Sequence, residues 1–373
     1  LGITAERMHT RWVRWWFVEK QRGTFVYNDW KQNLPLSHGV APLGMLDGTA
    51  RWASSAPADI RAKPKNEWPK GWGAYPAQNT KDWQDYVTKM VTHYRGRVRY
   101  WEVWNEPDHM FLQINPARDK DRQSAYMRLL KGAYAAAKKA DPECKIVAGA
   151  VTAGGTSFLL RCIEDGMLDS CDVVSFHGYG RIHSAPSAGA AAFDDILNAL
   201  RGAMRERGKM RPIWDTESGF GIVDGIEGAA SGETALKAIL SERAAGIRRQ
   251  YLYSGYPKNY AGHDGFRMHV GYAQRPLVIQ GLLAGYDRLL GNASFTGNLG
   301  DDAAGLHVYA FADVPTGRKV IAGWCSGKEA PTTFAGKMLG HGKVLDAGGN
   351  ECGEFSDGEL KLKAEVQYFV PDR

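Results

Sequence analysis

The sequence of 373 residues lacks the marks of a membrane-spanning, disordered or nucleic-acid-binding protein. It has no run of about 18 apolar residues, so no membrane-spanning helix is expected. Its net charge of +6 is spread along the chain without a basic block, which argues against a nucleic-acid partner. With 44% hydrophobic and 24% charged residues, the composition is typical of a globular protein.

Cysteine is scarce, and its spacing argues against a structural metal centre. The five cysteines form no Cys-x-x-Cys pair, and no histidine lies at ligand spacing from them. Cys162 with Cys171, and Cys325 with Cys352, could form disulfides, but five free thiols are an equally good interpretation. We expect neither a metal ion nor an organic cofactor.

A leader segment is also missing, because no basic and apolar stretch precedes the first amphipathic segment. The chain begins at Leu1 rather than at methionine. These two features predict a processed or trimmed product. We therefore expect a secreted or periplasmic protein.

Aromatic residues, in contrast, are abundant, with 12 Trp and 16 Tyr. Exposed aromatic rings suit flat apolar surfaces such as the faces of sugars. They could line a ligand-binding rim, or they could simply pack the loops against the protein. Two predicted loops are rich in such side chains: residues 47–79, with Trp52, Trp68, Trp72 and Tyr75, and residues 254–275, with Tyr256, Tyr260, His263, Asp264 and Phe266.

From Trp12 to about Gly291, short β-branched or aromatic runs alternate with longer helical patterns. This alternation is typical of βα units on a parallel sheet, which is either a barrel or a doubly wound sheet. The long connections follow the strands, and in a barrel such loops meet at the carboxyl ends, where the chemistry takes place. Seven strands are predicted: Trp12–Val18, Val40–Leu46, Val98–Trp104, Lys145–Val151, Asp172–Tyr179, Pro212–Glu217 and Ile247–Tyr253.

After Gly291 the sequence changes to short alternating segments separated by Gly, Asp, Asn and Pro. The alternation is strict over Leu360–Val366, which predicts a sheet with one packed and one solvated face. We predict a β-sandwich over residues 292–373, packed on a barrel domain of residues 1–291. Its clearest strands are Leu306–Phe311, Lys319–Trp324, Lys343–Asp346 and Leu360–Phe369.

Two of the predicted barrel strands end in a glutamate. One reads Trp-Glu-Val-Trp-Asn-Glu-Pro over residues 101–107, and the other reads Trp-Asp-Thr-Glu over residues 214–217. The second strand lies three βα units after the first, so Glu106 and Glu217 should face each other across the barrel mouth. Two facing carboxylates are the arrangement for glycoside cleavage, with one as acid/base and the other as nucleophile or base.

These two motifs resemble the acid/base and nucleophile strands, the fourth and seventh, of the retaining (β/α)8 glycoside hydrolases of clan A. Within the clan the sequence is most similar to family 39, which includes β-xylosidases, α-L-iduronidases and bacterial exopolysaccharide endoglycosidases. Further similarities are Arg14 on the second strand, His177 and Tyr179 on the sixth, and a C-terminal β-sandwich. The resemblance implies a TIM barrel whose first strand would precede Leu1, so this strand is missing or displaced here.

The resemblance also implies a role for each matched residue. Glu106 would be the acid/base, Glu217 the nucleophile and Asn105 the donor to the sugar 2-hydroxyl. Tyr179 would form a hydrogen bond near the nucleophile, and Arg14 would keep Glu217 ionised. The expected substrate-binding residues are Arg14, Asp47, Trp52, Asn105, His177, Tyr179 and Tyr253.

The predicted function is therefore that of a retaining glycosidase acting on O-glycosidic bonds of an oligo- or polysaccharide. The alternative is a non-catalytic carbohydrate-binding protein on the same scaffold, since a fold does not determine activity. A metal-dependent hydrolase that uses His177, His183 and His263 is less favoured, because these histidines show no ligand spacing. No nucleic-acid or membrane partner is expected.

Overall fold

The structure, a computed structural model, describes residues 5–8, 13–27, 29, 36–219, 229–253, 278–327, 332–335 and 339–372. Within this part of the chain, no helix has the length and apolar character needed to cross a membrane. The predicted loop 254–275, with His263 and its aromatic residues, lies outside the described residues.

A parallel sheet of seven strands, hydrogen-bonded in chain order, forms the centre of the α/β part. This order confirms the predicted barrel fold. The strands are β1 Ala5–Arg7, β2 Ala41–Leu46, β3 Tyr100–Val103, β4 Lys145–Val151, β5 Val173–His177, β6 Ile213–Ser218 and β7 Gln250–Leu252. The helices are α1 Trp15–Val18, α2 Ala58–Ala62, α3 Thr80–His93, α4 Arg122–Ala140, α5 Thr156–Glu164, α6 Tyr179–Ile182, α7 Ala185–Ala188, α8 Asp194–Glu206, α9 Ala229–Ala244 and α10 Val278–Leu290, with 3-10 turns at Trp72–Ala74, Met167–Asp169, Gly189–Phe193 and Asp302–Ala304.

The first strand differs from the prediction. The sequence predicts a strand over Trp12–Val18, but α1 occupies its second half, and β1 is the strand that pairs in parallel with β2. The indole of Trp15 is fully buried and stacks on the ring of Tyr86, with a centroid distance of 5.0 Å. A short run of bulky apolar residues indicates burial, and it cannot distinguish a buried helical turn from a strand.

Side-chain caps fix the starts of the two helices that follow β2 and β3. Asn79 caps α3 by accepting a hydrogen bond from the Lys81 N–H at 2.9 Å. Asp121 caps α4 by accepting from the Ser124 N–H at 2.7 Å, and its own N–H donates to the Ser124 hydroxyl at 3.3 Å. This reciprocal capping box satisfies two backbone donors that a helix start would otherwise leave unpaired.

Antiparallel strands follow α10, as predicted, and form a β-sandwich. Six of them make one sheet in the order β13-β12-β15-β10-β9-β8, and β11 pairs with β14 in the other. The bounds are β8 Ala293–Asn298, β9 Leu306–Asp313, β10 Lys319–Cys325, β11 Thr332–Ala335, β12 Gly342–Leu345, β13 Glu351–Phe355, β14 Glu359–Leu362 and β15 Gln367–Pro371.

The six-stranded sheet has buried residues on both of its faces. Tyr368 joins an apolar cluster that includes residues of α9 and α10, whereas its neighbour Phe369 joins the cluster shared with Leu360 and Leu362 of β14. Successive residues of a strand point to opposite faces, which explains this division. One face thus packs on helices and the other forms the interior of the sandwich.

By its internal contacts, the described chain divides into two compact units. One contains residues within 3–177 and 198–217, and it includes β1 to β5 and nearly all of β6. The other contains residues within 178–197 and 218–373, and it includes the antiparallel sheets. The domain boundary expected at residue 292 stays a prediction.

All five cysteines are free thiols, so neither of the two possible disulfides is formed. Cys352 is exposed, whereas Cys144, Cys162, Cys171 and Cys325 are buried. Burial raises the pKa of Cys162 and of Cys171 to about 12 in each case. These two thiols are therefore protonated and unreactive at neutral pH.

Candidate active site

Glu106 follows β3 and Glu217 lies near the end of β6, so both stand at the carboxyl ends of parallel strands. One carboxylate oxygen of each lies within 4.8 Å of the other, and a ring nitrogen of His177 lies within the same distance of both. The side chains of Glu106 and Glu217 are 16% and 14% exposed, whereas that of His177 is fully buried. The two carboxylates thus face a common space that solvent reaches.

A buried arginine that the sequence analysis missed holds this group together. The Arg7 Nε donates to Glu102 at 2.6 Å, its Nη1 donates to Glu217 Oε2 at 2.6 Å, and its Nη2 donates to Asn105 Oδ1 at 2.8 Å. Burial opposes the charge on Arg7, but Glu102 and Glu217 outweigh it and raise its pKa. Charge-assisted bonds of this kind fix the geometry of all three partners.

The role assigned to Arg14 stays a prediction, and the structure places a second arginine, Arg7, in direct contact with Glu217. Arg14 lies 3.3 Å from Asp47 and 4.3 Å from the ring centroid of Trp68. A three-residue strand shows no alternation, so the sequence gives no sign that Arg7 ends it.

Glu102 is a buried charge partner of Arg7. It is fully buried, accepts from Arg7, and also accepts from the Ser175 hydroxyl at 2.8 Å. The same hydroxyl accepts from the Ala150 N–H at 2.9 Å. Glu102 thus connects the arginine to the backbone of β4.

His177 contacts the proposed acid/base directly. Its Nδ1 lies 2.9 Å from Glu106 Oε1, while its buried Nε2 has no hydrogen-bond partner among the described residues. Burial alone would lower the pKa of His177, but the charge of Glu217 and the hydrogen bond with Glu106 outweigh it and raise the pKa. The ring is therefore electrostatically coupled to both carboxylates.

The backbone at the site adopts unusual conformations. Trp104, Glu106 and Ala150 have φ values of 67°, 43° and 46°, and only Asp357 among the other described non-glycine residues has a positive φ. Each such residue costs roughly 1–3 kcal/mol and persists only where the surrounding structure enforces it. The Trp104 N–H donates to Leu46 O at 3.0 Å, which helps to hold the turn after β3.

The other four predicted site residues differ in their burial and in their contacts, and Asp47 lies near enough to Arg7 to interact with its charge. Asp47 is fully buried, and burial raises its pKa. Trp52 donates from its indole to the Glu19 carbonyl at 3.1 Å, which indicates loop packing. Tyr179 begins α6 rather than ending a strand, and Tyr253 follows β7 and is 38% exposed. Contact of these four with substrate stays a prediction.

The aromatic residues of loop 47–79 differ in their exposure to solvent. Trp72 is buried, whereas Trp68 is partly exposed. The Trp68 ring lies 4.9 Å from that of Trp16 and 5.6 Å from that of Phe111. Trp16 and Phe111, which the sequence analysis did not select, thus extend the aromatic surface around Trp68.

The chemistry of the group can be assessed from its charges. Glu106, His177 and Glu217 offer atoms that could ligate a cation. However, the guanidinium of Arg7 already places a positive charge 2.6 Å from Glu217. Two carboxylates, one paired with an arginine and one with a histidine, are instead suited to nucleophilic and acid–base chemistry.

Known proteins share this architecture. The family model described as glycosyl hydrolase family 10 matches residues 15–149, which include Glu106. A solved family 39 glycoside hydrolase from the gut symbiont Bacteroides cellulosilyticus WH2 is 21% identical with a TM-score of 0.72, over 99% of this chain and 75% of that one. The resemblance to clan A is confirmed. The fold of this chain is similar to that of the family 39 structures.

Two further solved structures have a fold similar to that of this chain. A family 39 β-xylosidase from Caulobacter crescentus is 16% identical with a TM-score of 0.67, over 100% of this chain and 90% of that chain. A conserved exported protein from Bacteroides fragilis is 15% identical with a TM-score of 0.60, over 92% of this chain and 78% of that chain. No curated protein sequence matches this chain.

Proposed function

We propose that this chain is a retaining glycosidase that cleaves O-glycosidic bonds of an oligo- or polysaccharide through a glycosyl-enzyme intermediate. The main support is the separation of at most 4.8 Å between carboxylate oxygens of Glu106 and Glu217. Retaining enzymes hold their two carboxyl groups about 5–5.5 Å apart, whereas inverting enzymes need about 6.5–9.5 Å to admit a water molecule.

In the first step, Glu217 attacks the anomeric carbon and the glycosidic bond breaks. The charge of Arg7, in contact with Glu217 Oε2, favours the ionised nucleophile. Glu106 gives its proton to the leaving oxygen, so that the departing group leaves as an alcohol. The products of this step are the alcohol and an ester between the sugar and Glu217.

In the second step, the ionised Glu106 takes a proton from water, and the oxygen of that water displaces Glu217 from the anomeric carbon. A proton on His177 would stabilise Glu106 in its ionised form, because the imidazole Nδ1 lies 2.9 Å from the carboxylate. Arg7 binds the amide oxygen of Asn105 and so directs the amide nitrogen elsewhere, where it can donate to the sugar 2-hydroxyl.

The substrate class and the location follow from the same proposal. The partner is a carbohydrate, and β-xylosides are the first compounds to test because one similar structure is a β-xylosidase. A secreted or periplasmic location is supported by the similarity to an exported protein. The β-sandwich over residues 292–373 would be a second domain of the same enzyme.

The test is hydrolysis of a panel of aryl β-D-xylosides, β-D-glucosides and α-L-glycosides by the wild type and by Glu217→Gln. The matched control is Glu19→Gln, which changes another buried glutamate that accepts from Trp15 and Gly23. The proposal requires turnover by the wild type and by the control, and none by Glu217→Gln. Sugar binding without any turnover by the wild type would favour the non-catalytic alternative.

A further inference from the structure

The loop after Glu106 is tied to the end of β4 by a side chain that the proposed chemistry does not use. Asp108 Oδ1 accepts from the Thr152 N–H at 3.0 Å, and Asp108 Oδ2 accepts from the Thr152 hydroxyl at 2.5 Å. Both donors of one residue are thus held by the two oxygens of one carboxylate. We call this pair the Asp108–Thr152 clamp.

A second tie holds Glu106 itself. Its N–H donates to the Ala150 carbonyl at 2.8 Å, just where the register between β4 and β5 shifts. Gly149 makes this bulge possible, because it has a φ of 124° and a Cβ there would lie 2.1 Å from the Ser175 carbonyl oxygen. Bulges of this kind redirect side chains next to active sites.

The two ties bracket a strained segment. Glu106 has a φ of 43°, which a residue with a Cβ rarely adopts, and Pro107 and Asp108 follow at once. Gly155 leaves room for the clamp, since a Cβ there would lie 2.7 Å from Asp108 Oδ2. Without the clamp, Glu106 would still be held by its own N–H, by its carbonyl, which accepts from the His109 N–H at 3.1 Å, and by its contact with His177. None of these ties the loop after Glu106 to the end of β4 as the clamp does.

We propose that Asp108 is a positioning residue, which acts through the Asp108–Thr152 clamp to hold Glu106 where it delivers its proton. This inference rests on the proposed function, because it assumes that Glu106 is the acid/base. The nucleophile is held separately by Arg7. Loss of the clamp should therefore impair proton delivery while leaving nucleophilic attack intact.

The dependence on the leaving group separates these two effects. A phenyl leaving group needs a proton as the bond breaks, whereas a 2,4-dinitrophenyl group departs readily as the anion. The ratio kcat/KM reports the first step, in which the leaving group is expelled. A variant with a displaced acid should lose kcat/KM on the phenyl glycoside only, whereas a partly unfolded variant would lose it equally on both substrates.

The experiment compares Asp108→Ala, Thr152→Val and the conservative Thr152→Ser, using phenyl and 2,4-dinitrophenyl glycosides of a sugar that the wild type accepts. Asp121→Ala is the matched control, because Asp121 also accepts from both the N–H and the hydroxyl of one residue, Ser124. It should lower the melting temperature without changing the ratio between the two substrates. Thr152→Val provides the test if Asp108→Ala does not fold.

We expect Asp108→Ala to lower kcat/KM on the phenyl glycoside by about 10- to 100-fold, which is part of the roughly 10²- to 10⁴-fold that a general acid contributes, and on the dinitrophenyl glycoside by less than about threefold. Thr152→Val should also lose kcat/KM mainly on the phenyl glycoside, but by a smaller factor. Thr152→Ser should resemble the wild type. Equal losses on both substrates would overturn the positioning role alone. Failure of the wild type to cleave any glycoside would overturn the proposed function and this role with it.

Discussion

Two buried histidines illustrate how differently two regions of this protein use the same side chain. His177, at the end of β5, and His307, on β9, are both fully buried. Each places its Nδ1 within 2.9 Å of a carboxylate oxygen. The Nε2 of His307 also bonds to the Ser326 hydroxyl at 3.0 Å. The Nε2 of His177, in contrast, has no partner among the described residues.

The backbone conformations around the two rings also differ. Near His307 the positive φ values belong to glycines, namely Gly189 and Gly305, and a Cβ on Gly189 would lie 2.5 Å from the His307 Nδ1. Near His177 they belong to residues that carry side chains, including Glu106, to which the ring is bonded. Strain and an unpaired buried atom thus occur together at the proposed active site, whereas both ring nitrogens of His307 are bonded and the positive φ values near it belong to glycines.

The largest effect should come from Glu217, the proposed nucleophile. Glu217→Ala should lower kcat by at least about 10³-fold, because removal of a covalent nucleophile leaves only binding and the remaining groups. The melting temperature should change by a few degrees at most, since the side chain lies at the mouth and not in the core. Kinetics and thermal unfolding of the purified variant check this. A loss of stability comparable to that of a core deletion would contradict the placement.

Replacing the two histidines by alanine should affect activity and stability in opposite ways. His177→Ala should lower kcat by about 10- to 100-fold, as loss of an acid–base partner would, with little change in stability. His307→Ala should cost about 2–4 kcal/mol of unfolding free energy, because it leaves buried polar partners unpaired, while the kcat of the folded molecules stays unchanged. Measurements of kcat and of denaturant unfolding on both variants test this prediction. Similar profiles for the two variants would remove the distinction.

The ends of the two functional strands could be predicted because each combines an apolar run with an abrupt polar stop. Glu106 precedes a proline, and Glu217 is followed by Ser218 and a glycine. The predicted bounds of these two strands therefore agree with the observed ones to within two residues. The last predicted strand, Leu360–Phe369, is in fact two strands, β14 and β15. The break follows from a tertiary contact, since the Val366 N–H donates to Glu233, and alternation cannot locate such a break.

The finer features of the site could not be predicted, because they arise from residues distant in sequence. Arg7 contacts Glu217 across 210 positions of the chain, and its strand has three residues. The left-handed backbone of Glu106 depends on the bulge that Gly149 and Ala150 form in β4. Local propensity contains no information about either contact.

A smaller effect should appear in the pH dependence of stability. Because the pKa of His177 is raised in the folded state, its proton stabilises that state at pH values below the unfolded pKa of about 6.5. This contribution is lost as the pH rises through the folded pKa. The unfolding free energy of the wild type relative to His177→Gln should therefore be greater at pH 5.5 than at pH 8.5. The same difference at both pH values would contradict the coupling.

The smallest effect is expected at the aromatic rim. If Trp68 stacks on a sugar, Trp68→Ala should lower kcat/KM for an oligosaccharide by about 1 kcal/mol, or roughly fivefold, beyond its effect on a single-sugar aryl glycoside. The control Trp52→Ala, whose indole bonds to the Glu19 carbonyl, should lower stability and affect both substrates equally. Equal losses for Trp68→Ala would assign its ring to loop packing.

The stereochemistry of the first product tests the central claim most directly. The wild type should be followed by proton NMR while it cleaves an aryl glycoside, before mutarotation of the released sugar. Two carboxylates whose oxygens lie within 4.8 Å of each other predict that the released sugar initially has the same anomeric configuration as the substrate. An initial product of inverted configuration would contradict the assignment of Glu217 as nucleophile.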